Sequence, residues 1–141
     1  MTDYTVTMIP TEHCQEMWGR VAKLLKPAVK SSRGRWTMAN CLESLIDGRQ
    51  NLWVAYDSNK VIKAAATTLI TTYPNRKLLG IQFLGGTESK GWMDEAMPIF
   101  RRFARDNDCS GIEAIGRYGL WGILKHYGLS RSSIIYEEIF L

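Results

Sequence analysis

From Lys77 onward the chain reads strand, glycine loop, helix, strand, short helix, strand, and this alternation constrains the fold more than any other stretch. The run Lys77 to Leu84 passes into Gly85-Gly86-Thr87-Glu88-Ser89-Lys90-Gly91, and an amphipathic helix is expected from Trp92. Met93, Met97, Phe100, Phe103 and Ala104 then share an inner face, and Arg101, Arg102, Arg105 and Asp106 an outer one. Asp108 to Gly111 closes this helix, and Pro98 inside it is expected to remove one hydrogen bond and to bend the helix or delay its start. Ile112 to Ile115 follows as a short buried strand, Tyr118 to Tyr127 as a short helix and Ser133 to Phe140 as a last strand. A glycine loop that feeds a helix N-terminus presents backbone amides in a way that suits a phosphate. The same loop also reads as a simple strand-to-helix turn.

The first half supplies the rest of one domain. Thr5 to Ile9 alternates as a strand, Pro10-Thr11 stops it and caps a helix, and Met17, Val21, Leu24 and Leu25 recur at helical spacing from Glu12 to Leu25. Pro27 is expected to end that helix and Ser31 to Arg35 to form a loop. Thr37 can cap a second helix with Met38, Cys41, Leu42, Leu45 and Ile46 on one side, ended by Gly48. Asn51 to Tyr56 and Val61 to Tyr73 flank Asp57-Ser58-Asn59-Lys60, which is tight-turn chemistry, and Pro74-Asn75-Arg76 turns the chain into Lys77. The expectation is a single α/β (α+β) domain over 1–141, with a mixed, mostly antiparallel sheet of about six strands flanked by helices.

At 141 residues and 45% hydrophobic content the chain can bury a core without disulfides or metals. No apolar run approaches membrane-spanning length, and the N-terminus lacks a signal-peptide pattern, so an intracellular protein with no membrane partner is expected. Cys14, Cys41 and Cys109 are odd in number and far apart, and no Cys or His pair has ligand spacing, which points to reduced structural thiols and no metal. The net charge of +4 is concentrated in Arg20, Lys23, Lys26, Lys30, Arg33 and Arg35, a run with no acid among them. It reads either as a solvated face or as a surface for an acidic partner or DNA, with Arg33 and Arg35 as partner-binding candidates.

The order β-α-α-β-β-β-α-β-α-β resembles the GCN5-related N-acetyltransferase (GNAT) family over nearly the whole chain. Gly116-Arg117-Tyr118-Gly119-Leu120-Trp121-Gly122-Ile123-Leu124-Lys125-His126-Tyr127-Gly128-Leu129 is similar to that family's closing helix, which ends in a Gly-aromatic step. Asn51-Leu52-Trp53-Val54, Phe83-Leu84-Gly85-Gly86 and Gly116-Arg117-Tyr118-Gly119 also resemble small GNAT-like proteins encoded by tailed bacteriophages. The resemblance implies acetyl-CoA as cofactor, its pantetheine on the backbone of Gln82, Phe83 and Leu84, and its pyrophosphate on Gly85, Gly86, Lys90 and Gly91, with Arg117 where the family often has a cofactor-contacting asparagine.

The residues depart from that pattern at several positions. The loop lacks the family's internal glycine spacing, and Glu88 sets a negative charge where a diphosphate would rest. The family's proton-donating tyrosine corresponds to Leu124, which carries no proton to give. Tyr127 and Tyr118 lie about 60° and 120° around a helix from it. Glu113 is the best-placed acid for a general base, although it is equally suited to an ion pair. The resemblance with these losses implies a phage-encoded protein with a degenerate acyl-CoA site, acting in the host cytoplasm or the virion through contacts with another protein, such as a particle component. Trp18, Trp36, Trp53, Trp92 and Trp121 are then available as core or as interface anchors. The alternative is an active acetyl-CoA-dependent N-acetyltransferase; direct sequence-specific nucleic-acid binding ranks below both, because no nucleic-acid-binding motif is present.

Overall fold

The computed structural model describes residues 3–116 and 120–140. Strand β1 (Tyr4–Ile9) is followed by a 3-10 turn at Thr11–His13 and helices α1 (Cys14–Lys30) and α2 (Met38–Ile46). Strands β2 (Asn51–Asp57), β3 (Ile62–Thr72) and β4 (Lys77–Gly86) form the meander, and α3 (Ser89–Asp106), β5 (Gly111–Ala114), α4 (Trp121–Leu124) and a 3-10 turn at Lys125–Tyr127 complete the order. The sheet runs β1-β2-β3-β4-β5, antiparallel except for the parallel pair β4 and β5.

The sheet separates two cores. Leu52, Val54, Ala65 and Phe83 face Val21, Leu25, Cys41 and Leu45 of α1 and α2, while Trp53, Ala55, Ala64, Ala66, Leu79 and Ile81 face Met93, Met97 and Phe100 of α3. Burial on both faces explains why Leu52 to Ala55 and Ala64 to Ala66 are unbroken apolar runs instead of alternating ones. Trp53 anchors the α3 side, with its ring edge-on to Phe100 and Phe103 and its indole N–H donating to the buried Thr68 hydroxyl at 2.9 Å. Trp92 is buried too, and Trp18, Trp36 and Trp121 are partly buried, so all five tryptophans contribute to packing and none stands out as an exposed anchor.

Local chemistry sets most boundaries. Thr37 and Asn40 close a reciprocal capping box at α2, and Gly48 follows its end at φ +82°. The Asp57 carboxylate accepts from the amides of Asn59 and Val61 and holds the β2–β3 turn. Thr11 caps no helix through its side chain. Three boundaries differ from expectation. Helix α1 continues three residues past Pro27, because Val29 is buried against the core and Ser31 returns both its amide and its hydroxyl to the Pro27 carbonyl. Helix α3 begins at Ser89 and runs through Pro98, whose exposed position lets the ring avoid the core. Ser133 to Phe140 forms no strand: the segment lies exposed, so the sheet among the described residues has five strands instead of about six.

Candidate functional site

Strands β4 and β5 run side by side only as far as the Ile81–Ala114 pair, with the Ile115 amide making the last link to the Ile81 carbonyl. Beyond that point β4 continues as Gln82–Gly86 with β3 on one side and, among the described residues, no strand on the other. A bulge sits at this spot. Thr67 pairs with Phe83 and Thr68 with Ile81, leaving Gln82 as the extra residue. The bulge reverses the strand's facing, so that Ile81 packs toward α3 and Phe83 toward α1 and α2. The buried Thr67 hydroxyl accepts the Phe83 amide at 3.2 Å and satisfies a donor that the bulge displaces. The three residues expected to offer backbone to a pantetheine chain therefore lie in an open splay between two parallel strands.

The glycines beside the splay are explained by packing. A Cβ on Gly85 would lie 1.8 Å from the Leu24 carbonyl oxygen of α1, and one on Gly86, which holds φ +150°, 2.5 Å from the Lys63 carbonyl oxygen. One on Gly91 would lie 2.4 Å from the Tyr4 ring. Each glycine permits a close approach within the protein, so none of them requires a ligand to account for it.

At the start of α3, Glu88 occupies the N-cap in the left-handed conformation without capping through its side chain, and its carboxylate accepts from the Tyr4 hydroxyl. The Thr87 amide donates to the Lys63 carbonyl and the Gly91 amide to that of Glu88. The amides of Ser89 and Lys90, in the first turn, have no intrahelical acceptor. Lys90 is exposed and has no ion pair among the described residues. Two amides and one cation thus face an anion's approach, opposed by the Glu88 carboxylate.

Two of the groups expected to move protons, Tyr127 and Glu113, are engaged by other side chains. The Tyr127 hydroxyl donates to Asp94 of α3 at 2.7 Å, and its carbonyl accepts from Arg101 of the same helix. Burial and the Asp94 carboxylate push the phenol up to about 12, which makes it a poor acid. Leu124, at the position the family resemblance reserves for a proton donor, is buried beneath α3. Glu113 accepts from the Tyr73 hydroxyl at 2.7 Å, and that hydrogen bond raises the Tyr73 phenol above its ordinary range. Glu113 pairs across the sheet with Gly80, one step before the splay opens, and among the described residues it makes no ion pair with an arginine. Arg117 and Tyr118 lie outside the described residues.

The basic run is also partly occupied. Arg33 and Arg35 both grip the Glu137 carboxylate, at 2.9 and 2.6 Å. Arg20, Lys23, Lys26 and Lys30 are exposed and, among the described residues, unpaired. Sequence reasoning missed Tyr4, Tyr73, Asp94 and Glu137, each of which meets its partner from a distant stretch of chain. Cys14 and Cys41 are buried free thiols, both shifted upward by burial and Cys41 to about 11, and no cluster of metal ligands occurs among the described residues.

No family model and no curated protein matches the chain. Solved structures do. The chain is similar to an aminoglycoside 6'-N-acetyltransferase, AAC(6')-Ih, from Acinetobacter baumannii (TM-score 0.68, 10% identity, covering 98% of this chain and 99% of that one). It is similar also to a ribosomal-protein-alanine N-acetyltransferase from Brucella melitensis (0.70, 10%, 98% and 99%). A third is AAC(6')-Iy solved with a CoA-containing bisubstrate analogue (0.70, 13%, 98% and 99%). These likenesses extend over whole chains and establish the GNAT fold; at such identities they say nothing of residues. Tested against acetyl-CoA, the phosphate end sets the Glu88 carboxylate against the two first-turn amides, and only the pantetheine stretch, the bulged open backbone of β4, fits. The proton-transfer half, among the described residues, does not.

Proposed function

We propose that this GNAT-fold chain acts through contacts with another protein, and that its acyl-CoA site is degenerate. One observation carries the reading: where the closing helix would supply a proton donor, Leu124 is core and the Tyr127 hydroxyl is spent on Asp94. A thiolate leaving group without a donor must depart charged, at a cost that positioning alone has to offset. The phrasing shared with small proteins of tailed bacteriophages supports a phage-encoded origin and a role in virion assembly, with the host cytoplasm or the particle as its location. The exposed cations Arg20, Lys23, Lys26 and Lys30 then suit an acidic particle surface or packaged DNA.

The alternative, an active N-acetyltransferase, draws on the retained splay and bulge at Gln82. In that reading acetyl-CoA supplies the activated acyl group. Gln82–Leu84 hold its pantetheine, Ser89, Lys90 and the α3 amides hold its phosphates, and the protein contributes orientation alone.

Calorimetric titration of CoA and acetyl-CoA into the full chain separates the two. The degenerate site predicts no binding up to millimolar concentration. Micromolar binding that Lys90→Glu abolishes would overturn it. Lys90 is the residue to change because it is exposed and unpaired among the described residues, whereas bulky substitutions at Gly86 or Gly91 collide with Lys63 or Tyr4 and disturb the fold itself.

A further inference from the structure

We infer that the basic face of α1 and the loop after it form a sequence-independent seat for the phosphate backbone of duplex DNA, and that Glu137 of the C-terminal segment occupies part of that seat until DNA displaces it. Lys23, Lys26 and Lys30 fall within a sector of about 60° on α1, and Arg20 adjoins it. All four are exposed and, among the described residues, none makes an ion pair. Lys23 to Lys30 spans about 10 Å along the helix axis, the length of about three steps of a duplex. Gly19 lies in the same sector, and a Cβ there would meet open space. No packing inside the protein accounts for a glycine within this helix, whereas its bare backbone leaves the face flat for an approaching strand.

The loop carries the rest of the seat. Arg33 holds a left-handed backbone at φ +56° and Gly34 at φ +86°, and the guanidiniums of Arg33 and Arg35 converge on one carboxylate. The loop is pinned from below: the Trp36 amide donates to the Ser32 hydroxyl at 3.0 Å, and the Trp36 ring packs edge-on to Phe83 at 5.6 Å. Glu137 supplies the carboxylate, with Oε1 2.9 Å from Arg33 Nε and Oε2 2.6 Å from Arg35 Nη2, so that two oxygens of one anion bridge two arginines as phosphate oxygens would. From Ser132 to Phe140 every residue except Glu137 is exposed. Among the described residues the segment is thus tied to the loop by this charge contact, whose arginine side chains are 76% and 45% exposed. Contacts of this kind are weak and are screened by salt, so a denser anion can replace them.

DNA is favoured over an acidic protein because a protein partner needs apolar anchors at the centre of its contact, and between Arg20 and Arg35 no large apolar side chain is exposed. Phosphates require only cations. The lack of a base-reading motif in the sequence fits contact with the backbone alone. This surface deepens the contact role proposed above but shares no residue with the acyl-CoA site, so the titration of CoA and the titration of DNA can fail independently.

The test is fluorescence anisotropy of two labelled duplexes of about 20 base pairs and unrelated sequence, titrated with the full chain at several salt concentrations. The wild type is expected to bind both equally, with a dissociation constant of about 1–100 μM and a slope of log K against log salt of about −3. Glu137→Gln is expected to tighten binding by about tenfold and to steepen the slope by about 1–2, the trace of one or two further phosphate contacts. Glu138→Gln removes the same charge from the exposed neighbouring position and is expected to change both far less. The triple variant Lys23→Gln, Lys26→Gln and Lys30→Gln is expected to lose most of the binding; all three lysines are exposed, and an unchanged circular dichroism spectrum will show that it is folded. Failure of both the wild type and Glu137→Gln to bind DNA overturns the inference, whether or not either binds polyglutamate. Preference for one duplex, equal effects of Glu137→Gln and Glu138→Gln, or a triple variant that binds like the wild type overturns it equally.

Discussion

A glycine in a sequence announces freedom without saying what the freedom is for. The pair Gly85-Gly86 and Gly91 read as a phosphate loop, yet in three dimensions they admit the Leu24 carbonyl, the Lys63 carbonyl and the Tyr4 ring. Gly19 is the opposite case, a mid-helix glycine of α1 with open space where a Cβ would go. Urea unfolding should therefore separate them. Gly85→Ala is expected to lose about 3 kcal/mol or more, since both the α1 and β4 backbones would have to move. Gly19→Ala is expected to gain about 0.5–1 kcal/mol through helix propensity. Similar small effects at both sites would show that β4 does not need its close approach to α1. The residue types of the candidate site were legible in the sequence. Their engagements were not, because Tyr4 with Glu88 and Tyr73 with Glu113 pair across 84 and 40 positions of chain.

Helical and central-strand elements follow closely from periodicity and punctuation, as the Thr37 cap, the Gly48 stop and the Asp57 turn show. What periodicity misses is attachment. The short α4 is too brief to stand alone, and the turn that follows it is tied to α3 through the Tyr127 hydroxyl on Asp94 and the Arg101 side chain on the Tyr127 carbonyl. Because the folded state holds the Tyr127 phenol near 12, above its ordinary value near 10, it favours the protonated form. The stability this gives is whole below about pH 10 and is lost as pH rises through 12. Ultraviolet titration should find one tyrosine ionising about two units late, and Tyr127→Phe should remove that step along with part of the alkaline decline in stability. Loss of the late step in a Tyr73→Phe protein, with Tyr127 intact, would reassign it. Pro27 and Pro98 teach the converse lesson: both stand inside helices, since packing of Val29 on one and of Met97 and Phe100 on the other outweighs one missing hydrogen bond.

At the scale of the whole molecule the charge distribution divides into an occupied and an open part. Glu137 pairs with both Arg33 and Arg35 and offsets one of their two charges, whereas Lys23, Lys26 and Lys30 project from α1 and, among the described residues, are unpaired. On a heparin column, reversing the three lysines to Glu should lower the eluting salt concentration far more than reversing the two arginines. Equal effects would mean that the Glu137 pairs do not hold in solution. The sequence by itself determined which segments become helices and central strands, the α/β order that defines the GNAT fold, and that an apolar side chain stands at Leu124 and a carboxylate at Glu88, because these depend on periodicity, turn chemistry and side-chain identity. Only the tertiary structure decided that β4 bulges at Gln82 and parts from β5, that the loop glycines serve packing, and that Ser133 to Phe140 leaves the sheet. These outcomes turn on which distant groups come into contact, and a strand's composition cannot say whether an edge of its own sheet will receive it.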